Sequence, residues 1–352
     1  MRRSPSDTVA VAVIGAGFIA DYHVGGIRAA GGATIAALVG RRREATEARA
    51  AALGIARVET DHRAVLDDRS IDAVVIASPD STHERIAVEA LAAGKAVLLQ
   101  KPMALDSGQC RAILAAAAGA AAPLSVSFMH RYFPEVLWLR DLLVDDRLGA
   151  IHSIRLRNAT PGADWADWFF RPGEVSGGVV MQLGVHGIDL CRHLFGEIAD
   201  IEARTSTARP QRRLADGRIV ETALEDTVLA SYGLPGGAMA SHEMSYTERA
   251  GCDRFRLELY SDAGTVMLRT QQGAAALFAP ALTGEAAWVV PDLPSAPMGQ
   301  AHHRHWLDVV RGLAPADGTA EAGLRSIEVA EAIYAAARSQ RRVPAGPVQE
   351  VA

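Results

Sequence analysis

The stretch "VAVAVIGAGFIADYH", residues 9–23, constrains the fold more than any other part of the chain. Six small or β-branched apolar residues run without a polar break, as a strand buried on both faces of a parallel sheet requires. Gly15, Gly17 and Ala20 follow at the spacing G-x-G-x-x-G/A. The first glycine permits a tight turn, the second lets the backbone approach a pyrophosphate, and the small third residue keeps the helix against the strand. The unpaired N–H groups at the start of that helix favour phosphate. The motif predicts a doubly wound α/β domain with a dinucleotide-binding turn at Gly15, Gly17, Phe18 and Ile19.

The second strand, "ATIAALVG", ends at Gly40 and is followed by Arg41, Arg42 and Arg43. A site for NAD usually has an acidic residue here to hold the ribose 2′-hydroxyl. Here glycine leaves room, and guanidinium forks at Arg41 and Arg42 suit a 2′-phosphate. The expectation is NADP in preference to NAD.

The third repeat, "SIDAVVIASPDSTHERIAVEALAAGKAVLLQKPMAL", holds two more buried strands. Ser78 and Pro79 break the first, Ser81 or Thr82 can cap the helix carrying His83, and Gly94 ends it. Gln100 and Lys101 then sit at the carboxyl end of the next strand, where ligands bind in doubly wound sheets. Ser78, Pro79, His83, Gln100 and Lys101 are therefore cofactor-site candidates. Of the 36 basic residues other than histidine, only Lys95 and Lys101 are lysine. A group that must gain and lose a proton cannot be arginine, because guanidinium does not deprotonate. Lys101 lies at the ligand edge, and Lys95 at the opposite one.

A chain of 352 residues with a formal net charge of -5 is long enough for two domains. It has no massed basic surface for nucleic acid or an anionic membrane. Cys110, Cys191 and Cys252 lack metal-ligand spacing and are odd in number, which fits a reducing cytoplasm. Arg2-Arg3 precedes too short an apolar run to read as an export signal.

"VIGAGFIADYH", the Lys101 segment, "SGGVVMQLGVHGIDLCRHLFG" and the closing "GLRSIEVAEAIYAAARSQRRV" together resemble the Gfo/Idh/MocA oxidoreductase family. The resemblance implies an N-terminal Rossmann domain and a C-terminal α/β domain built on a large open, mostly antiparallel sheet. It implies hydride transfer between a nicotinamide and a secondary alcohol of a sugar, polyol or derivative, and a homodimer or homotetramer formed through the C-terminal sheet. Two positions depart from the family pattern. Gln100 stands where glutamate is usual before the lysine, and Gln182 where aspartate is usual four residues before His186.

The pattern changes after Pro123, and we place the domain boundary at Leu124, giving domains 1–124 and 125–352. A helix is expected over residues 134–144. "GAIHSIRLRNAT", "DTVLASYGLP", "GAMASHEMSY", "RFRLELYSDAGTVML" and "AAALFAP" alternate like antiparallel strands with one exposed face. Residues 177–196 read as a helix on which Gln182, His186 and Asp189 can share a side.

The resemblance makes Lys101 and His186 the catalytic candidates. One accepts the alcohol proton, and the other hydrogen-bonds the oxygen. A free lysine, with a pKa of about 10.4, is a poor base unless burial or a nearby positive charge disfavours its ammonium. With an amide at Gln182, His186 lacks a carboxylate that would hold it as imidazolium, and a neutral ring can act as a base. Substrate-binding candidates are Lys101, Arg131, Trp168, Gln182 and His186, with His130, Tyr132 and Arg171 as lesser ones. His302, His303 and His305 read as surface histidines at a helix start rather than a metal site. Two further readings stay open: an enzyme that recycles a bound cofactor, and a nicotinamide-binding regulator without catalysis.

Overall fold

The computed structural model describes residues 8–250, 254–270 and 273–345. Arg2, Arg3 and Cys252 lie outside the described residues. The chain divides into two compact units, Met1–Tyr132 with Ser295–Leu324, and Phe133–Pro294 with Arg325–Ala352.

The elements of the first half run β1 (Val9–Ile14), α1 (Ile19–Ala30), β2 (Ala33–Val39), α2 (Arg43–Leu53), β3 (Val58–Glu59), α3 (Arg63–Leu66), β4 (Ala73–Ile76), α4 (His83–Ala92), β5 (Ala96–Leu99), α5 (Ser107–Ala118) and β6 (Leu124–Val126). Next come α6 (Pro134–Val144), β7 (Ile151–Ala159), α7 (Val185–Phe195), β8 (Asp200–Ser206), β9 (Gln211–Arg213), β10 (Ile219–Glu221), β11 (Thr227–Gly233) and β12 (Met239–Ser245). The last are β13 (Arg256–Ser261), β14 (Thr265–Thr270), β15 (Gly273–Phe278), α8 (Pro280–Thr283), α9 (Gln300–Arg311), α10 (Thr319–Ser339) and β16 (Val343–Pro344).

In the first unit a parallel sheet has the order β3-β2-β1-β4-β5-β6. Strand order reverses between β1 and β4, the place where a crevice for a ligand forms at the carboxyl edge. β4 and β5, read as AVVI and AVLL, are buried at every position, because helices must cover both faces of such a sheet. Trp306 and Leu307 of α9 join the core around Val11, Val13, Val24, Ile27 and Leu98. The sequence reading ends this unit at Leu124. Yet β6 pairs with β5 as the last strand of the sheet, and residues 295–324 return to the same unit. A three-residue strand and a late return of the chain leave no periodicity to read.

In the second unit the large sheet has the order β15-β14-β13-β7-β12-β11-β8-β16. Its β7–β12 pair is parallel and its other pairs are antiparallel. Alternation is clear in β11, where Val228, Ala230 and Tyr232 are buried while Leu229 and Ser231 are exposed. The hairpin at Gly236 and Gly237, both with positive φ, joins β11 to β12. α7 lies close on the buried face because two of its approach points lack a side chain. A Cβ on Gly184 would stand 2.3 Å from Met244 Sδ, and one on Gly187 would stand 2.1 Å from Asn158 Oδ1.

Candidate active site

The carboxyl edge of the parallel sheet gathers the glycine turn, the Ser78 loop and Lys101, each directly after its strand. Gly15 has φ +123°, and a Cβ there would lie 2.2 Å from the Ala77 carbonyl oxygen. Only glycine lets β1 turn this close to β4. A Cβ on Gly17 would meet nothing within 4 Å, so space remains in front of the turn. Phe18 is exposed, whereas Ile19 packs on the core and offers the turn only its backbone. The open cradle at the N-terminus of α1 fits a dinucleotide pyrophosphate.

Gly40 has a different reason from the one expected. A Cβ there would fall 2.4 Å from Thr46 Oγ1, so the close approach of the first turn of α2 is what requires glycine. The Thr46 hydroxyl donates to the Arg42 carbonyl at 2.7 Å. Arg41 and Arg42 are exposed, and neither forms an ion pair with any described residue. Arg43 pairs with Glu47 on the surface of α2.

Ser78 and Thr82 share a 2.6 Å hydroxyl contact, and Thr82 Oγ1 donates to the Pro79 carbonyl at 2.7 Å. The expected side-chain cap on α4 is absent, because Thr82 spends its hydroxyl on this turn. His83 is buried, with one ring nitrogen 2.9 Å from the Ser78 carbonyl oxygen and the other 2.9 Å from that of Pro102. It ties the loop after β4 to the loop after β5. Lys101 is half-buried and precedes a cis peptide to Pro102. The Gln100 side chain is buried. Its Oε1 accepts the Lys101 N–H at 2.9 Å, and its amide nitrogen lies 2.9 Å from His23 Nε2. Lys95, at the other edge, is buried for a structural reason. Its ammonium donates to the Asp68 and Ile71 carbonyls at 2.7 and 2.8 Å, and burial lowers its pKa.

The reading of His302 and His303 as surface residues is overturned. Both are buried, and His305 is half-buried. His303 Nε2 lies 2.9 Å from His23 Nδ1, and His302 Nδ1 lies 3.0 Å from the Tyr22 hydroxyl. Burial pushes His303 down to about 4 and holds His23 and His302 well below the usual histidine range, with the neighbouring rings adding to the effect on the latter two. No group of three metal-ligating side chains converges among the described residues. The clue in the sequence was that Trp306 and Leu307, four residues after His302 and His303 and on the same helix face, are apolar and core.

Arg131 is buried, within 3.5 Å of the Asp317 carbonyl oxygen, with its guanidinium 5.6 Å from the Phe128 ring. Tyr132 donates to Asp317 Oδ2 at 2.5 Å.

In the second unit, residues Val180–Gly184 form a π-helical turn that runs into α7. Gln182 and His186 thus straddle a change of helix type rather than lying four apart on one α-helix. Such wide turns insert a residue and re-aim side chains, often at functional sites. Gln182, His186 and Asp189 are all buried, and Gln182 Nε2 reaches Ser176 Oγ at 3.5 Å. Glu225, not singled out from the sequence, anchors the start of this segment. Its carboxylate accepts from the Val180 and Gly178 N–H groups at 3.0 and 3.2 Å and from the Tyr334 hydroxyl at 2.8 Å. Burial raises its pKa. Beneath α7, His242 bridges Asn158 Oδ1 and the Tyr232 hydroxyl at 2.8 and 2.9 Å. Trp168 is half-buried edge-on to Phe169, and Arg171 is taken up by Asp167 and Glu174.

Residues 9–128 match the model of an oxidoreductase family with an NAD-binding Rossmann fold, and residues 136–274 match the GFO/IDH/MocA C-terminal domain. The chain belongs to the Gfo/Idh/MocA oxidoreductase family. Among relatives, inositol 2-dehydrogenase 2 of Saccharopolyspora erythraea is 32% identical over 270 residues, 74% of this chain and 73% of that one. D-Apiose dehydrogenase of Paraburkholderia graminis is 28% identical over 345 residues, 94% and 88% of the two chains. Among solved structures, GenD2 from gentamicin A biosynthesis, in complex with NAD, superposes with a TM-score of 0.79 at 26% identity, covering 98% of each chain. Levoglucosan dehydrogenase in complex with NADH and L-sorbose has a TM-score of 0.86 at 20% identity, covering 97% of this chain and 100% of that one, and shares the fold. No helix among the described residues is long and apolar enough to cross a membrane.

Proposed function

We propose that this family member oxidises a secondary alcohol of a sugar, polyol or derivative, or reduces the matching ketone, using NADP in preference to NAD. The observation that carries the reading is Lys101, half-buried on the same sheet edge as the open Gly15–Gly17 turn. The named activities of the inositol and apiose relatives support the substrate class. Bound at that edge, a nicotinamide supplies the hydride acceptor. The chain supplies the rest. Of Lys101 and His186, one accepts the substrate's proton and the other hydrogen-bonds its oxygen, stabilising the charge that develops as the proton leaves. The Gln182 carboxamide orients the His186 ring or binds a second hydroxyl. Trp168 and Arg131 remain candidates for substrate contact.

Exposed, uncommitted Arg41 and Arg42 support the preference for NADP, since a guanidinium fork matches a 2′-phosphate. Thr46 by itself accounts for glycine at position 40, so the preference rests mainly on the arginines. We further propose a cytoplasmic homo-oligomer formed through the exposed face of the large sheet.

The test is nicotinamide reduction by the purified protein across sugars, polyols and sugar acids, with NADP⁺ and with NAD⁺. Lys101→Met and the double variant Arg41→Ser/Arg42→Ser run alongside. Turnover that favours NADP⁺, collapses in Lys101→Met and loses its cofactor bias in the double variant is the expected result. Tight NADPH binding with no turnover on any compound overturns it in favour of a regulator or a closed cofactor cycle.

A further inference from the structure

A buried chain of hydrogen bonds runs from α9 to the Lys101 backbone. The Gly299 carbonyl oxygen lies 2.7 Å from His303 Nδ1, and His303 Nε2 lies 2.9 Å from His23 Nδ1. His23 Nε2 lies 2.9 Å from the Gln100 amide nitrogen, and Gln100 Oε1 lies 2.9 Å from the Lys101 nitrogen. We propose that this chain makes Gln100 a positioning residue for Lys101, and that it works only with His23 and His303 both neutral and both protonated at Nδ1. The positioning half rests on the dehydrogenase reading above. The tautomer half does not.

Both ends fix the direction. A carbonyl oxygen only accepts, so His303 must carry its proton at Nδ1 and leave Nε2 bare. A backbone N–H only donates, so Gln100 turns its oxygen to Lys101 and its NH₂ to His23. His23 Nε2 must then be bare, and its Nδ1–H meets the bare Nε2 of His303. Four bonds close with no donor facing a donor. An extra proton on either ring breaks one of them.

The surroundings agree. His23 and His303 are fully buried between α1 and α9. Tyr22 and His302 pack at a tilt against the His303 ring, Tyr132 packs against His302 and His305, and Asp317, which Arg131 approaches, accepts from Tyr132. Among the described residues no carboxylate bonds to either ring of the pair. Room for the contact is built in, since a Cβ on Gly26 would lie 2.2 Å from His303 Nδ1. A glutamate at position 100 would reverse the demand at His23 Nε2, which would then need a proton. The pair would have to take up a buried positive charge, or lose the bond to Gly299. Gln100 is therefore matched to a neutral histidine pair, and its departure from glutamate is compensated within the same unit.

The experiment uses the composition of the chain. Labelling with ¹⁵N-lysine yields two backbone amides, those of Lys95 and Lys101, and labelling with ¹⁵N-histidine reports ring tautomers. Peaks of His23 and His303 are assigned by their loss in His23→Asn and His303→Asn. The expected wild-type rings are neutral and protonated at Nδ1 from pH 6 to 8. Gln100→Leu should speed hydrogen exchange of the Lys101 amide by on the order of tenfold, the worth of one such hydrogen bond, and leave Lys95 unchanged. Gln100→Glu should keep Lys101 protected and convert one ring of the pair to imidazolium. In turnover, Gln100→Leu should lower kcat more than it raises the KM for NADP⁺. Gln100→Glu should regain activity as the pH falls. A ring protonated at Nε2 overturns the tautomer assignment, as does a Gln100→Glu variant with unchanged rings. Unchanged Lys101 exchange in a folded Gln100→Leu protein overturns the positioning role, whether or not any substrate turns over.

Discussion

Adjacent glycines in α1 allow a test in which sign, not size, decides. Gly25 is exposed, and a Cβ there would meet nothing within 4 Å. Gly25→Ala should stabilise the protein by about 0.5–1 kcal/mol, because alanine loses less backbone entropy in a helix. Gly26→Ala gains the same amount and then loses more. Its Cβ would fall 2.2 and 2.6 Å from His303 ring atoms and 3.0 Å from the Gly299 carbonyl oxygen. Forcing a methyl into packed space costs about 1–3 kcal/mol. Displacing the ring also strains the His303 bonds to Gly299 and His23, each worth about 1 kcal/mol. The net expectation is a destabilisation of about 1–4 kcal/mol, opposite in sign to its neighbour. Urea unfolding at constant m-value measures both variants against wild type. If Gly26→Ala proves as stabilising as Gly25→Ala, α1 and α9 do not meet through His303, and the buried histidine chain loses its footing.

The other expectations concern protons and buried donors. Histidines held below their ordinary pKa predict acid sensitivity. Above pH ~6.5 His303 is neutral in both states, and stability does not change with its titration. As pH falls toward about 4 the unfolded chain takes up a proton that folded His303 refuses, which removes on the order of 3 kcal/mol. His242, pushed down to about 3 by burial, adds a loss of the same sign, so urea midpoints should drop between pH 6.5 and 4. A flat midpoint across that window refutes neutral burial. Gln182→Asp places a carboxylate near His186, should raise its pKa, and should move the acidic limb of the pH–rate profile to higher pH; an unmoved limb separates the two residues. Lys95→Met strands two carbonyl acceptors and should cost about 1–3 kcal/mol of stability while leaving kcat unchanged, whereas a loss of kcat would give Lys95 a role beyond the fold.

Lys95 also shows where composition misleads. The chain keeps a lysine there with no chemistry attached, because a compact ammonium fits between two buried carbonyls. Scarcity of lysine therefore marks Lys101 as worth testing, and its place on the sheet edge carries the greater weight.

Sequence alone determined what depends on local spacing. The glycine fingerprint, the all-apolar strands of the parallel sheet and the alternating strands β7 and β11–β14 are periodic, and periodicity follows from which faces a strand must bury; β15, all apolar and buried at three successive positions, does not alternate as expected. Lys101 was legible for the same reason, as the residue just past a buried strand. Tertiary structure decided everything that depends on what approaches from far along the chain. Gly40 is small because of Thr46 and Gly187 because of Asn158, while Gly26 makes room for a histidine 277 positions later. His302 and His303 looked like solvent-facing polar residues until α9 returned to the first unit. Gln100 reads as a lost carboxylate in one dimension. In three, its amide fits a neutral imidazole, because hydrogen-bond direction is set by partners that no spacing rule brings together.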